Sequence, residues 1–307
     1  MKASVLIVTY NHESYIAEAL ESALMQQTNF AYEIVIGEDC STDRTRSIVC
    51  DYQKRYPDRI RTLLHEKNLG MMANFMATYR ECRGEYIAML DGDDFWTSPV
   101  KLATQVEFLD THPEFAISFH NASVISEIDA RTGTLLCPPE QKEVSTLEDL
   151  LYGNFIPTLT AVFRNRLFAR FPEWFSGLLY GDWPLHLLNA RSGNIGYLNS
   201  VMATYRIHGG GAASGATGDF EKFLRNVDGI IEVYRKFDRH LDGKYTPMIR
   251  RRIAWYSLMA ARACVGTGRF LPSISYLGRF VLYYADSLFS TKKRASGAGI
   301  EIREAKR

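Results

Sequence analysis

No run of apolar residues in the 307-residue chain approaches the roughly 18 positions that a spanning helix needs, so no membrane span is expected. Cysteine is sparse. Its five copies, Cys40, Cys50, Cys82, Cys137 and Cys264, are odd in number and show no CxxC spacing. That argues against a disulfide framework or a thiolate zinc site and for reduced thiols in a cytosolic compartment. The first residues lack the length and cleavage site of a secretory signal. Two phosphate-binding signatures are also missing. With neither GxGxxG nor GxxxxGK(S/T), a dinucleotide dehydrogenase and a P-loop nucleotidase are both disfavoured. Internal repeats and low-complexity tracts are absent, and nucleic acid is not expected as a partner.

What is present is the composition of a folded domain, 46% hydrophobic and 23% charged, long enough for one large domain or a domain with a helical appendage. The net charge of +1 hides an asymmetry. Residues 1–219 carry 18 Lys and Arg against 27 Asp and Glu, whereas residues 220–307 carry 18 against 8. An acidic front and a basic tail suggest different partners for the two parts.

The first hundred residues alternate between two periodicities. Strand-like runs at 4–9, 32–36, 60–64 and 85–90 alternate with helical patterns at 13–26, 45–56 and 71–82, with Ser41 or Asp43 as the cap of the second helix. Such alternation implies a mostly parallel sheet with helices on its faces. Further on, the pattern predicts a helix at 99–109, strands at 115–125 and within 154–164, and a turn at 130–136 leading into another strand. A helix at 182–191 and a strand at 195–206 follow. After the Gly-rich loop at 208–215 come three helices at 220–239, 246–265 and 272–288, then a frayed end from Thr291. The expected domains are 1–218, divided near residue 98, a helical region at 219–290 and a flexible basic tail at 291–307.

Polar clusters fall at the strand ends: Tyr10-Asn11, Glu38-Asp39, and Asp91 with Asp93 and Asp94. In open α/β sheets ligands bind outside the carboxyl ends of the strands, so the three clusters should line one cleft. Carboxylates crowded there would repel one another unless a cation held them ionised. The segment Asp91-Gly92-Asp93-Asp94 therefore has two chemical readings beside a solvated turn. In a metal-assisted transferase, Asp93 would ligate a cation bridging a diphosphate, since Mg²⁺ needs only one or two carboxylates plus phosphates. In a haloacid-dehalogenase-type phosphatase, an Asp-x-Asp supplies a nucleophile and an acid, but a small hydroxyl residue normally follows where this chain has Phe95-Trp96. Tyr10 could stack on a nucleobase, and Asp39 could accept from an imide N–H. Asp182, between Gly181 and Trp183, is either an N-cap or an acid–base group. His208, on a mobile Gly loop, could reach a metal or phosphate.

Taken together, these segments resemble glycosyltransferase family 2, the inverting enzymes of the GT-A fold. VLIVTYNHESYIAEALESALMQQ resembles the family's opening strand and helix, EIVIGEDCSTDRT its nucleotide-binding segment and NLGMMAN the Asn-x-Gly stretch. YIAMLDGDDFWTSPVKL resembles the Asp-x-Asp region, and GDWPLHLLNARSGNIGYLNSVMATYRIHGGGAAS the catalytic segment with its closing Tyr-Arg-x-His. The likeness covers residues 3–215 in order. It departs at Glu38, where Asp is commoner, and at Gly181, where an acid is frequent. The Gln-x-x-Arg-Trp motif of processive synthases is absent.

The resemblance implies an α/β GT-A fold, Rossmann-like with a mostly parallel central sheet and flanking helices, followed by a C-terminal helical region. Carried over position by position, it puts Thr9, Tyr10, Asn11, Glu38, Asp39, Asn68, Gly70 and Asp91 with the nucleotide. Asp93 and His208 fall with a divalent metal, Mn or Mg. Asp94, Trp96, Trp183 and Arg206 fall near donor sugar or acceptor, and Asp182 is the catalytic base. The implied activity is inverting, non-processive transfer from a nucleoside-diphosphate sugar, UDP-sugar foremost, to a hydroxyl of a glycan or lipid-linked acceptor in bacterial surface polysaccharide assembly. A phosphatase-like hydrolase and a non-catalytic nucleotide-sugar-binding module are the alternatives. The expected compartment is the cytoplasm. For the C-terminal helices, the apolar positions from Phe270 to Phe289, followed by Lys292, Lys293 and Arg294, suggest either packing in the core or as a homo-oligomer, or peripheral contact with the membrane.

Overall fold

The computed structural model describes residues 1–211, 220–241 and 243–304, with side chains as far as Ser287. It forms two compact units, Met1–Thr217 and Gly218–Arg307.

The first unit opens as the periodicity predicts. Strand β1 (Ala3–Thr9) is followed by helix α1 (Ile16–Leu24), β2 (Tyr32–Glu38), α2 (Thr45–Arg55), β3 (Ile60–Leu64), α3 (Met71–Glu81) and β4 (Tyr86–Asp91). β1 pairs in parallel with both β2 and β4, and β2 with β3. All of β2 and nearly all of β1 are buried, as strands covered by helices on both faces must be. α1 turns Ile16, Ala19, Leu20 and Ala23 inward at helical spacing. Asp43 Oδ1 accepts from the Thr45 backbone N–H at 2.9 Å, satisfying one orphan donor at the start of α2.

Beyond β4 come β5 (Phe95–Trp96), α4 (Lys101–Thr111), β6 (Phe115–Ser126), β7 (Val144–Ser145), α5 (Leu147–Leu150), β8 (Val162–Arg164), α6 (Asp182–Asn189) and β9 (Asn194–Ile207). The sheet order is β3-β2-β1-β4-β8-β6-β9-β5, with β7 paired to β9. β8 is antiparallel to β4 and β6, so the sheet is mixed in its second half. Here the expected elements change. The strand sought after the turn at 130–136 is only a single bridge between Leu135 and Ser123. The strand sought within 154–164 shrinks to three residues, because Pro157, which has no N–H for a ladder, leads into a 3₁₀ turn at Thr158–Thr160. β5, β7 and α5 are too short to show a period.

In the second unit, α7 (Phe220–His240), α8 (Thr246–Gly266) and α9 (Phe270–Glu304) pack as three successive helices. α7 buries Leu224, Val227, Ile231, Tyr234 and Phe237. α8 buries a run of small side chains, Ala254, Ser257, Ala260, Ala261 and Cys264, which lets α9 approach closely. The backbone of α9 continues as helix to Glu304, through most of the segment expected to be a frayed, flexible basic tail, whose side chains lie outside the described residues.

Among the described glycines, Gly37 in β2 has the least room for a side chain. A methyl group there would meet Thr78 Oγ1 at 1.9 Å and Asn74 Oδ1 at 2.3 Å on α3. Gly37→Ala should therefore destabilise the fold by about 1–3 kcal/mol, the usual cost of overpacking, read as a lower urea midpoint. Adding Thr78→Ala should restore part of the loss. An unchanged midpoint for Gly37→Ala would mean that α3 yields freely.

Candidate active site

The carboxyl ends of β1, β2 and β4 open into a cavity of about 460 Å³, a size that suits a small-molecule ligand. Thr9 and Tyr10 line it from the end of β1, Asp39 from β2, and Asp91, Asp93 and Asp94 from β4 and the turn after it. Asn68 and Gly70 come from the loop before α3, Gly181 and Asp182 from the start of α6, and Arg206 from the end of β9.

The three carboxylates after β4 are compensated unequally. Burial alone would raise Asp93. A hydrogen bond from His208 and the nearby His12 outweigh that and hold its pKa below the ordinary value. His208 Nε2 lies 3.1 Å from Asp93 Oδ2 and His12 Nε2 lies 3.8 Å from it. An ionised carboxylate only accepts, so His208 is the donor. Asp91 has no such help: burial, then Asp93 and Asp182, push it up to about 8. Asp94 is buried and raised well above the carboxylate range, by burial first and then by Asp93 and Asp91. Its Oδ1 accepts from the Arg206 backbone N–H at 2.7 Å, while Oδ2 has no partner among the described residues. The fold thus leaves two of three carboxylates short of positive charge.

That shortage is what a divalent cation would fill. Among the described residues no group of three or more His, Cys, Asp or Glu is gathered to hold a metal ion. Mg²⁺ and ions like it commonly bind through one or two carboxylates and complete their shell with water and substrate phosphates. Asp93, with Asp91 beside it and His208 against it, fits that kind of site.

On the other wall, Asp39 is buried and organises the loop before α3. Its two oxygens accept from the backbone N–H groups of Leu69 (2.7 Å) and Gly70 (2.9 Å), and Asn68 Nδ2 donates to the Asp39 carbonyl at 3.2 Å. Gly70 has φ 83°, a conformation that favours glycine. Tyr10, 41% exposed, lines the cavity at the end of β1. Asn11 sits beside it at φ 56°, where its side chain accepts from the Thr42 N–H at 2.8 Å outside the cavity. Glu38 is also outside. It is fully buried, accepts from the Ser41 N–H at 2.6 Å and is paired with Arg46. Adjacent residues of an extended chain point to opposite sides, so Asp39 and Glu38 diverge.

Asp182 is the first residue of α6, so it is not the residue that precedes and caps that helix. Its Oδ2 accepts from Asn154 Nδ2 at 2.8 Å and lies 3.5 Å from Thr158 Oγ1. Burial raises its pKa, and hydrogen bonds from the Trp183 backbone, Thr158 and Asn154 partly offset the rise. The two tryptophans expected near the sugar are turned into the core. Trp96 Nε1 donates to the Leu159 carbonyl at 2.8 Å, and Trp183 Nε1 to the Leu150 carbonyl at 3.0 Å. Arg206 lines the cavity yet is fully engaged, paired with Glu18 and Glu127 and lying over the Tyr15 and Phe95 rings. Residues 212–215 of the expected Gly-rich loop lie outside the described residues, while Gly210 and Gly211 line the cavity.

Sequence reasoning passed over His12, Asn154 and Thr158. His12 was visible one position after Tyr10-Asn11. Asn154 and Thr158 lie where periodicity is lost and carried no signal.

A ligand crevice at the ends of parallel strands, rimmed by this Asp-rich turn, belongs to a GT-A-type α/β fold. Residues 4–167 match the model of Glycosyl transferase family 2, and the chain belongs to that family. An uncharacterized protein of Mycobacterium tuberculosis is 38% identical over 220 residues, 72% of this chain and 63% of that one. The matched stretch thus spans under two thirds of that relative's length. The Escherichia coli UDP-Glc:alpha-D-GlcNAc-diphosphoundecaprenol beta-1,3-glucosyltransferase WfaP is 33% identical over 137 residues, 45% of this chain and 52% of WfaP. Among solved structures, Staphylococcus aureus TarS 1-349 with UDP-GlcNAc superposes with a TM-score of 0.60 at 20% identity, covering 95% of this chain and 92% of that one. The Pyrobaculum calidifontis mannosyltransferase PcManGT with GDP-Man and Mn²⁺ gives 0.60 at 18% identity, covering 98% and 80%. These two likenesses establish the fold.

The raised pKa of Asp91 has a consequence for stability in metal-free buffer. Its contribution is fully present below the unfolded value near 4 and is lost as the pH rises to about 8. Asp91→Asn should flatten that fall, measured as the melting temperature between pH 5 and pH 8 in chelator. A variant that loses stability as steeply as the parent would show that Asp91 is already ionised.

Proposed function

We propose that this chain transfers a sugar from a nucleoside-diphosphate donor to an acceptor hydroxyl with inversion, by a single displacement. The observation that carries this reading is that Asp182 and the under-compensated carboxylates after β4 face one cavity. An acid–base group thereby stands across from a site for phosphate charge.

The residues divide the work as follows. Tyr10 offers a ring face for the base, and Asp39 holds the Asn68–Gly70 loop that lines the donor end. Asp182, kept in place by Asn154 and Thr158, takes the proton from the acceptor hydroxyl. The freed oxygen attacks the anomeric carbon from the face opposite the diphosphate, and the nucleoside diphosphate leaves with the bonding electrons. Burial raises Asp182 toward the pH of use, which makes it a better base than a solvated carboxylate. Asp93 and His208 would hold a divalent cation, Mn or Mg, with Asp91 beside them. When bound, that cation neutralises the charge gathering on the leaving diphosphate. UDP is the first nucleotide to test, supported by the UDP-sugar named for WfaP and for the TarS complex. A lipid-linked glycan in bacterial surface polysaccharide assembly is the acceptor class, supported by the diphosphoundecaprenol acceptor named for WfaP.

Two substitutions test these roles. Asp182→Asn should bind UDP as the parent does and turn over at least about a hundredfold more slowly. In the parent, kcat/KM should fall as the pH drops through the raised pKa of Asp182. A collapse of nucleotide affinity instead would make Asp182 structural. Asp93→Asn should weaken Mn²⁺ binding at least about tenfold by calorimetry in the presence of UDP, since losing even an outer-sphere partner commonly costs that much. An unchanged Mn²⁺ isotherm would remove Asp93 from the cation site.

A further inference from the structure

We propose that the outward face of α9 lies in the interfacial region of an anionic lipid bilayer, drawn there by the basic charge of the C-terminal unit. This inference rests on that unit alone and stands apart from the sugar-transfer reading.

Between Phe270 and Ser287 the face carries no charge. At 3.6 residues per turn, Phe270, Leu271, Ile274, Leu277, Val281 and Leu282 fall within one arc of about 140°. Gly278 and Ala285 share it, while Arg279 and Asp286 fall outside. The six apolar side chains are between 42% and 82% exposed. The other side of the helix is the one that packs. Ser273, Tyr276 and Ser287 are buried, and Tyr276 and Arg279 both bond to Asp228 of α7, at 2.8 and 2.7 Å. An apolar stripe belonging to the three-helix core would be covered, and this one is not.

Charge decides what covers it. The segment 220–307 has 18 Lys and Arg against 8 Asp and Glu, including Lys292, Lys293 and Arg294 in the continuation of the same helix. A second copy would bring the same excess of positive charge to the contact. An anionic bilayer brings the opposite sign together with an apolar interior. Among the described residues no helix is long and apolar enough to cross a membrane, so the stripe would be met by a helix lying flat. Interfacial helices combine this kind of apolar face with clustered basic residues.

Flotation of the full-length protein with vesicles of phosphatidylglycerol and phosphatidylcholine tests the proposal. At low salt the protein should float with these vesicles, should release at high salt, and should stay behind with pure phosphatidylcholine. Leu271→Glu, Ile274→Glu and Val281→Glu together should weaken binding at least about tenfold. All three positions are exposed, so the melting temperature should hold. Leu271→Ser with Ile274→Ser is the milder second variant should the triple misfold, and it should also bind more weakly. Three results would overturn the proposal. The intact protein could fail to float at low salt, the folded variants could bind undiminished, or the intact chain could sediment as a dimer that the substitutions make monomeric. The last result would hand the face to a second copy.

Discussion

Repulsion among the carboxylates at the end of β4 is the constraint around which the first unit is built. β4 is buried between β1 and β8, so Asp91 leaves the sheet with little solvent to share its charge. Asp93 and Asp94 follow within three positions. The protein answers with two histidines at Asp93 and, at Asp94, one backbone N–H and the charge of Arg206, which together fall short of offsetting burial. Full compensation would need a buried Arg or Lys, which would occupy the space and the electrostatic role that a cation and a diphosphate can take. The partial answer keeps the site hungry for positive charge at the cost of stability. Arg206 shows how partial the answer is: its guanidinium pairs with Glu18 and Glu127, its Nε donates to the Asp93 carbonyl at 3.0 Å, and its charge lowers Asp94 without overcoming burial.

The two units divide the chain's chemistry as well as its contacts. The first collects acidic side chains at a cavity. The second collects basic side chains, and the last of its three helices leaves an apolar face exposed. Neither pattern is visible in the net charge of the whole chain, which nearly cancels.

Much of the fold was legible because buried parallel strands read as continuous apolar runs, and the helices between them keep their inward stripe. β1 to β4 and α1 to α3 were found within a few residues for that reason. Legibility failed where pairing is short or is set by distant partners, as in β5, β7 and the Pro157 turn. Polar motifs identified strand ends well and side-chain directions less well. Glu38 and Asp39 look alike on paper, yet one is locked to Arg46 and the other faces the cavity. Trp96 and Trp183 sit beside site residues in the chain, but an indole N–H finds a buried carbonyl as readily as a ligand. The partners of Asp182 come from a stretch read as containing a strand, where the chain instead turns at Pro157.

The Arg206–Glu18 pair joins residues 188 positions apart. β9 lies inside the sheet between β6 and β5, so the ribosome has made nearly the whole first unit before the last strand can enter. Contacts between parts so distant in sequence are entropically expensive to close and form slowly. The carboxylates at the end of β4 are thus made more than a hundred positions before His208, which donates to Asp93 in the finished unit. Until β9 is seated, the turn after β4 lacks the Arg206 and His208 contacts that the finished unit gives it.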